Sequence, residues 1–207
     1  MTTLFLARHG ETVWHAEHRY AGSSDVALTD HGLVQADELG EWAARARLSA
    51  IVASPLQRAR LTAKPAADAS GLDTRIDPRL VEIDFGSGEG LTPGELDERM
   101  PAEWKAFERH PARQPMPAGE SGVEGIDRAL PALLELVDEF PHGRVLVVTH
   151  ATLMRLVLCE LLGLDPDRYR ELFPVVENCA LTDLRFEELD GQRRARLLGF
   201  NVPPRAY

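Results

Sequence analysis

Leu4-Phe5-Leu6-Ala7-Arg8-His9-Gly10-Glu11-Thr12 is an apolar run that stops abruptly at Arg8-His9-Gly10. It predicts a buried strand over residues 3–8 that carries a cationic and a nucleophilic side chain to its C-terminal end. Gly10 there lets the backbone turn or come close to a ligand. In open α/β sheets, ligands sit beyond the carboxyl ends of the strands. Val145-Leu146-Val147-Val148-Thr149-His150-Ala151 has the same form and also ends in a histidine. The two strand ends are therefore expected to lie side by side and to share one anionic substrate.

The 207 residues suffice for a single α/β domain spanning residues 1–207. With 44% hydrophobic and 27% charged residues, the chain has the balance of a globular protein rather than a disordered one. A net charge of −10 argues against a nucleic-acid partner, which calls for a basic face. An anionic substrate stays compatible with that charge if the cations are concentrated in one pocket. The apolar N-terminal run is broken by Arg8, unlike a signal peptide, and no run reaches the length of a membrane helix. The expected compartment is the cytoplasm, with no membrane partner. Cys159 and Cys179, the only cysteines, read as buried free thiols. The oligomeric state is not legible, and a homodimer is left open.

Residues 13–28 lack a clean period and read as a long loop, a feature often functional inside a compact domain. Thr29 then caps a helix reaching about residue 46, and residues 50–53 form a short strand. Ser54-Pro55 is expected to cap and open the next helix, with proline at its first position, ending near Gly71. An extended piece over 74–83 leads into the glycine-rich Asp84-Phe85-Gly86-Ser87-Gly88-Glu89-Gly90. Short helices start at Pro93 and Pro101, and the proline-rich stretch from His110 to Gly119 makes residues 84–120 the candidate lid or insert. Ser121 and Glu124 form a capping box for a helix in which Pro131 is expected to kink or shift the start. After the second core strand and an apolar helix over 151–162, a further helix begins at Asp165-Pro166. Residues 179–187 and 194–200 suggest a hairpin across Asp190-Gly191, and residues 202–207 a loose tail. Strands alternating with helices imply a three-layer α/β/α fold with a mostly parallel central sheet.

Four pieces carry chemistry: Arg8-His9-Gly10, Arg58, Glu82 and His150. Each alone has a plain structural explanation: a hydrogen-bonded histidine, a salt-bridged surface arginine, a surface carboxylate. Together, two arginines and two histidines at strand ends would concentrate positive charge on an acidic protein. Such a site suits a phosphate dianion held by guanidinium groups. Helices opening near Pro55 and Ala151 are expected to aim backbone N–H groups at the same anion. The cationic surroundings would keep one imidazole neutral and nucleophilic. His15 and His18 are three apart, but no third ligand is spaced to complete a metal site. Trp14 and Tyr20 could line the pocket from the long loop, whereas Trp42 and Trp104 read as packing residues.

The pattern resembles the histidine phosphatase superfamily, in its phosphoglycerate mutase-like branch. The resemblance rests on Arg8-His9-Gly10-Glu11-Thr12, Gly22 with Asp25, Leu28-Thr29, and Gly32 with Gln35-Ala36. It continues through Ser54-Pro55-Leu56-Gln57-Arg58-Ala59 with Thr62-Ala63, Glu82-Ile83-Asp84-Phe85-Gly86 with Glu89-Gly90-Leu91, Gly119-Glu120-Ser121, and Val148-Thr149-His150. The resemblance implies that His9 attacks phosphorus and becomes a phosphohistidine. It implies that Arg8, Arg58 and His150 hold the phosphoryl oxygens, and that Glu82 protonates the leaving oxygen and then activates water. It calls for no metal and no cofactor. This sequence departs from the family pattern at three substrate-facing positions. His15 stands where asparagine is common, Ala21 where a hydroxyl or amide is usual, and Ala151 where glycine is common. The expected substrate-binding set is Arg8, His15, Ala21, Gly22, Arg58, His150 and Ala151, and the expected ligand a small-molecule phosphate ester such as a sugar phosphate.

Hydrolysis is the leading expectation. The alternatives are a cofactor-dependent phosphoglycerate mutase and an inactive module that binds phospho-ligands. A mutase must retain its intermediate and exclude water. The stretch from Glu82 to Ser121 is short, lacks the tyrosine-containing form usual in such mutases, and balances its basic residues Arg99, Lys105, Arg109 and Arg113 with acids.

Overall fold

In the computed structural model, which describes residues 1–207, the two apolar runs are adjacent strands of one sheet. The strands are β1 (Thr2–Arg8), β2 (Ala50–Ala53), β3 (Thr74–Ile76), β4 (Arg144–Thr149), β5 (Leu181–Leu189) and β6 (Gln192–Val202), in the order β3-β2-β4-β1-β5-β6. β3, β2, β4 and β1 run parallel, and the β5–β6 hairpin adds antiparallel strands beside β1. Asp190 and Gly191 both take positive φ, 53° and 72°, as a tight hairpin turn requires.

Successive residues of the central strands feed two cores, which is why their sequences are apolar without interruption. Leu4 and Leu6 of β1, Val145 and Val147 of β4, and Val52 of β2 face α3 (Pro93–Arg99), α4 (Pro101–Arg109), α5 (Gly122–Glu139), α6 (Ala151–Leu161) and α7 (Tyr169–Leu172). Phe5, Ala7, Leu146, Val148, Ile51 and Ala53 face α1 (Asp30–Ala46) and α2 (Gln57–Ser70). The fold is thus the expected three-layer α/β/α arrangement. No helix is long and apolar enough to cross a membrane.

The layering positions the site. β1 continues into α1 on one face of the sheet, and β4 into α6 on the other. Connections that leave adjacent parallel strands by opposite faces open a crevice between the strand ends. Arg8 pairs with Thr149 in the ladder, so His9 and His150 are the first residues beyond it on each side.

Several local expectations are corrected. α2 begins at Gln57, with Leu56 as its cap residue, and not at Pro55. The Asp25 carboxylate, from the long loop, accepts the Gln57 N–H at 2.8 Å, while Ser54 Oγ turns instead to His150. Pro131 does not shift its helix: α5 runs unbroken from Gly122, fastened by the Ser121–Glu124 capping box. Pro65 likewise lies inside α2, where a Cβ on Gly40 of α1 would stand 2.9 Å from it, so the missing side chain lets the two helices cross closely. After Asp165 the chain makes a 3-10 turn before the short α7, rather than one continuous helix. The C-terminal tail is docked. Pro204 is buried, and the Tyr207 ring meets Phe5 and Trp42 edge-on while its hydroxyl donates to Asp183 at 2.5 Å. The 110–119 stretch is packed too, with Ala112 and Met116 buried.

Candidate active site

The His9 backbone is held from three sides. Its N–H donates to Thr149 O at 3.0 Å, its C=O accepts from Asn178 Nδ2 at 2.7 Å, and the Gly10 N–H donates to Thr62 Oγ1 at 2.9 Å. A Cβ on Gly10 would lie 2.5 Å from Gly32 O, so only glycine lets the chain turn here against α1. The His9 ring places Nδ1 2.7 Å from Gly10 O. A carbonyl oxygen can only accept, which assigns the proton to Nδ1 and leaves the Nε2 lone pair free. The residue is 5% exposed. Burial first, then the neighbouring His150, Arg8 and Arg58, hold the imidazole well below its usual pKa. A neutral imidazole with a free Nε2 among cations is equipped to attack an anionic electrophile.

The His150 ring lies beside it, centroid to centroid 5.2 Å. Its Nε2 meets Ser54 Oγ at 2.7 Å, and burial, followed by Arg58, depresses its pKa as well. Arg58 is fully buried rather than a surface arginine. It donates to Ser24 O at 2.6 Å, Gly22 O at 2.7 Å and Ala21 O at 3.2 Å. Arg8 donates to Val176 O at 2.7 Å, and burial and then Arg155 lower its pKa to about 10, so it stays charged at neutral pH. The buried side-chain N and O atoms without a hydrogen-bond partner are three: Arg8 Nε, Arg58 Nε and His150 Nδ1. Each such atom costs about 1–3 kcal/mol if left unmatched. That all three belong to the residues gathered about His9 marks this spot as built for an acceptor with several oxygens.

His15 joins the site beside Arg8. The Arg8 amino group donates to its Nε2, and Thr12 N–H and Oγ1 lie 2.9 Å and 2.8 Å from its Nδ1. Burial, then Arg8, lowers the His15 pKa to about 4. Its ring centroid is 5.8 Å from that of His9.

Glu82 precedes the glycine-rich turn and reaches across to the start of α6. Its Oε1 accepts from Ile83 N and Leu153 N, each at 2.9 Å, and its Oε2 from Thr152 N at 3.0 Å. Oε2, with a single protein donor, has capacity to spare. This corrects in part the expectation that α6 aims its first N–H groups at the ligand, since those of Thr152 and Leu153 hold Glu82. The corresponding donor of α2 is likewise occupied, by Asp25.

The crevice opens into a cavity of about 290 Å³. Arg8, His9, His15, Ala21, Glu82 and Ala151 line it, together with Trp14 and Tyr20 from the long loop and Phe85 and Pro93 from the segment after Glu82. Arg58, His150 and Gly22 are buried beside it. The Cβ position of Gly22 is occupied by the Glu89 carboxylate and the backbone of Ile83 and Phe85. Trp42 and Trp104 are buried packing residues, and both cysteines are buried free thiols.

Sequence reasoning missed four contributors. Asn178 and the Val176 carbonyl arrive from the segment before β5, with no local signal. Glu89 clamps the long loop through Ser23 N–H at 2.6 Å, Ser24 N–H at 2.9 Å and both serine hydroxyls. Arg155 also lines the cavity. A lone arginine within the apolar helix 151–162 was the available clue.

The family described as the histidine phosphatase superfamily (branch 1) matches residues 4–199. Phosphoserine phosphatase 1 of Hydrogenobacter thermophilus is 31% identical over 202 residues, 98% of this chain and 93% of that protein. A probable phosphoglycerate mutase, GpmB, of Erwinia tasmaniensis is 33% identical over 182 residues, 88% of this chain and 84% of the relative. Among solved structures, a mycobacterial glucosyl-3-phosphoglycerate phosphatase in complex with VO3 superposes with a TM-score of 0.87 at 30% identity, over 97% and 99% of the two chains. Bacillus stearothermophilus YhfR does so with a TM-score of 0.89 at 29% identity, over 98% of each. Because these likenesses run the length of the fold rather than a single motif, the chain belongs to branch 1 of the histidine phosphatase superfamily.

Proposed function

We propose that this chain is a phosphomonoesterase that hydrolyses a small-molecule phosphate ester through a phosphohistidine on His9. The observation that carries this reading is the set of three unmatched buried atoms, Arg8 Nε, Arg58 Nε and His150 Nδ1, around a histidine whose Nε2 is free. In this reading, Nε2 forms a bond to phosphorus as the ester P–O bond breaks. Arg8, Arg58 and His150 donate to the non-bridging oxygens and stabilise their charge as the group transfers, with His15 set against Arg8 at the substrate side. Glu82 Oε2 gives a proton to the departing alkoxide, then removes one from the water that attacks the phosphohistidine, which restores both residues and releases phosphate. The arginines supply the positive charge, and no metal enters the scheme. The names of the phosphoserine phosphatase and glucosyl-3-phosphoglycerate phosphatase relatives support hydrolysis of a metabolite ester. We place it in the cytoplasm, a reducing compartment that suits two free thiols.

The mutase-named relatives favour a second reading, in which the phosphoryl group returns to another oxygen of the substrate. Against it, the 84–120 segment brings Phe85 and Pro93 to the cavity but none of its cations, and Arg99 and Arg113 are paired with acids. We propose this segment as a cover over the site rather than as a basic clamp. The test is phosphate release from p-nitrophenyl phosphate in EDTA, with rapid quench to trap an acid-labile phosphoenzyme. Both signals are expected in the parent protein and absent in His9→Ala; full turnover in His9→Ala overturns the proposal. Interconversion of 2- and 3-phosphoglycerate outrunning phosphate release would establish the mutase reading. Phospho-ligand binding without turnover would establish a binding module.

A further inference from the structure

Arg155 is a half-buried cation left over by the scheme above. It sits on the cavity-facing side of α6, four residues after Ala151 and three after Thr152, both of which also line the cavity. Its Nε donates to Ala151 O at 3.1 Å, and its guanidinium lies 5.2 Å from the centroid of the Tyr169 ring. These contacts fix the plane of the group and leave the two terminal amino groups without a protein acceptor. No carboxylate pairs with it. Glu82, whose charge reaches it, makes its hydrogen bonds to three backbone N–H groups instead, and Arg19 is held by Glu17 and Glu95. Behind it, Arg170 has no acid either; it donates to the hydroxyls of Tyr169 at 3.0 Å and Tyr20 at 3.2 Å and lies over Phe107. An arginine fixed in orientation on a cavity wall, with both terminal amino groups free, presents a ready donor pair to a bound anion.

We propose that Arg155 binds a carboxylate on the alcohol portion of the substrate, so that the preferred ester carries its phosphate and a carboxylate a few bonds apart. This rests on the phosphomonoesterase reading and adds the substrate class. A planar fork of two amino groups, with Nε already engaged, matches the two oxygens of a carboxylate end-on. One guanidinium balances a monoanion. A second phosphoryl dianion would need another free donor, and the neighbouring cations are committed. The separation is short because Arg8 and Arg155 line one cavity of about 290 Å³. Partial burial, foremost, lowers the pKa of Arg155, while Tyr169 and Glu82 raise it. Tyr20 and Phe85 line the same cavity and would cover the carbon chain of the ester.

The test compares 3-phosphoglycerate with glycerol 3-phosphate, which replaces the carboxylate by a hydroxymethyl group. kcat/KM is measured for hydrolysis, and affinity by calorimetry on the His9→Ala background. The parent is expected to prefer 3-phosphoglycerate by about 10- to 100-fold, the scale of a charged hydrogen-bonded pair. In Arg155→Met, which keeps the stem over Tyr169, the ratio is expected to fall to within about threefold of unity. In Arg155→Lys, part of the preference is expected to remain. Circular dichroism and melting curves show whether each variant is folded. A preference that survives in Arg155→Met, or a parent without one, overturns the inference. So does stronger binding of propane-1,3-diol bisphosphate than of 3-phosphoglycerate. If no ester is hydrolysed at all, the phosphatase reading fails, while the calorimetric ratio still decides for or against Arg155.

Discussion

Replacing Glu82 by glutamine separates the proton-transfer role proposed for this residue from its structural one. The carboxylate accepts three backbone N–H groups, two on Oε1 and one on Oε2. Glutamine can keep two of them by presenting its carbonyl to Ile83 and Leu153. Its amide NH2 then faces the Thr152 N–H, donor against donor. One unmatched buried donor costs about 1–3 kcal/mol. A cost of about 2 kcal/mol corresponds to a fall of roughly 4–8 °C in melting temperature for a chain of this size. The chemical loss should be larger and should depend on the leaving group. An alkyl phosphate, whose alkoxide needs a proton, should lose about 10²- to 10⁴-fold in kcat. p-Nitrophenyl phosphate leaves as a stable anion, so phosphorylation of His9 should survive while water activation fails. Stopped-flow absorbance should then show a burst of nitrophenolate close to one per enzyme, followed by slow turnover. Equal losses for aryl and alkyl esters with no burst would refute the assignment of Glu82 to proton transfer.

The buried histidines set the acid limit of stability. His9, His150 and His15 all have depressed pKa values in the folded chain, that of His15 about 4. Below the usual imidazole pKa the unfolded chain binds protons that the folded chain refuses, so unfolding free energy should fall as pH drops from about 6.5 toward 4. Urea midpoints measured across that range should show the decline, and His15→Asn should make it shallower. Gly10→Ala should destabilise by about 1–3 kcal/mol, because its methyl would meet the Gly32 backbone. It should also depress phosphate release through the displaced Gly10 carbonyl that orients the His9 ring; an unchanged melting curve and rate would refute this. Deleting residues 203–207 removes the Tyr207 contacts with Phe5, Trp42 and Asp183, and should lower the melting temperature by several degrees, measurable by calorimetry.

What was legible in the sequence was local or periodic. The apolar runs ending at His9 and His150, the helix start at Pro93, the capping box at Ser121 and the Asp190-Gly191 turn each follow from a few neighbouring residues. The juxtaposition of the two histidines followed from one general property of parallel sheets. What escaped was non-local. The start of α2 depends on Asp25, some thirty residues earlier in the chain, and the N–H groups of α6 are claimed by Glu82 from another segment. The tail looked loose because nothing nearby in sequence reveals that Tyr207 meets Trp42. Arg155 was hidden by its surroundings: an arginine in an apolar helix is conspicuous only once the cavity beside it is known.

The loop over residues 13–28 has almost no regular secondary structure, yet it is tied down along its length. Arg58 holds the carbonyls of Ala21, Gly22 and Ser24, Glu89 grips Ser23 and Ser24, and Tyr20 exchanges backbone hydrogen bonds with Gly90 and Leu91. Tyr20 is fixed by its ring as well, packed on Phe85, Trp104 and Phe107. The side chains of Trp14 and Ala21, which line the cavity, make none of these ties, so they can be exchanged while the path of the chain stays put. Such a segment lets point substitutions retune which alcohol is accepted, leaving the phosphate cradle undisturbed, and it makes these two positions the natural place to redirect the protein toward another ester.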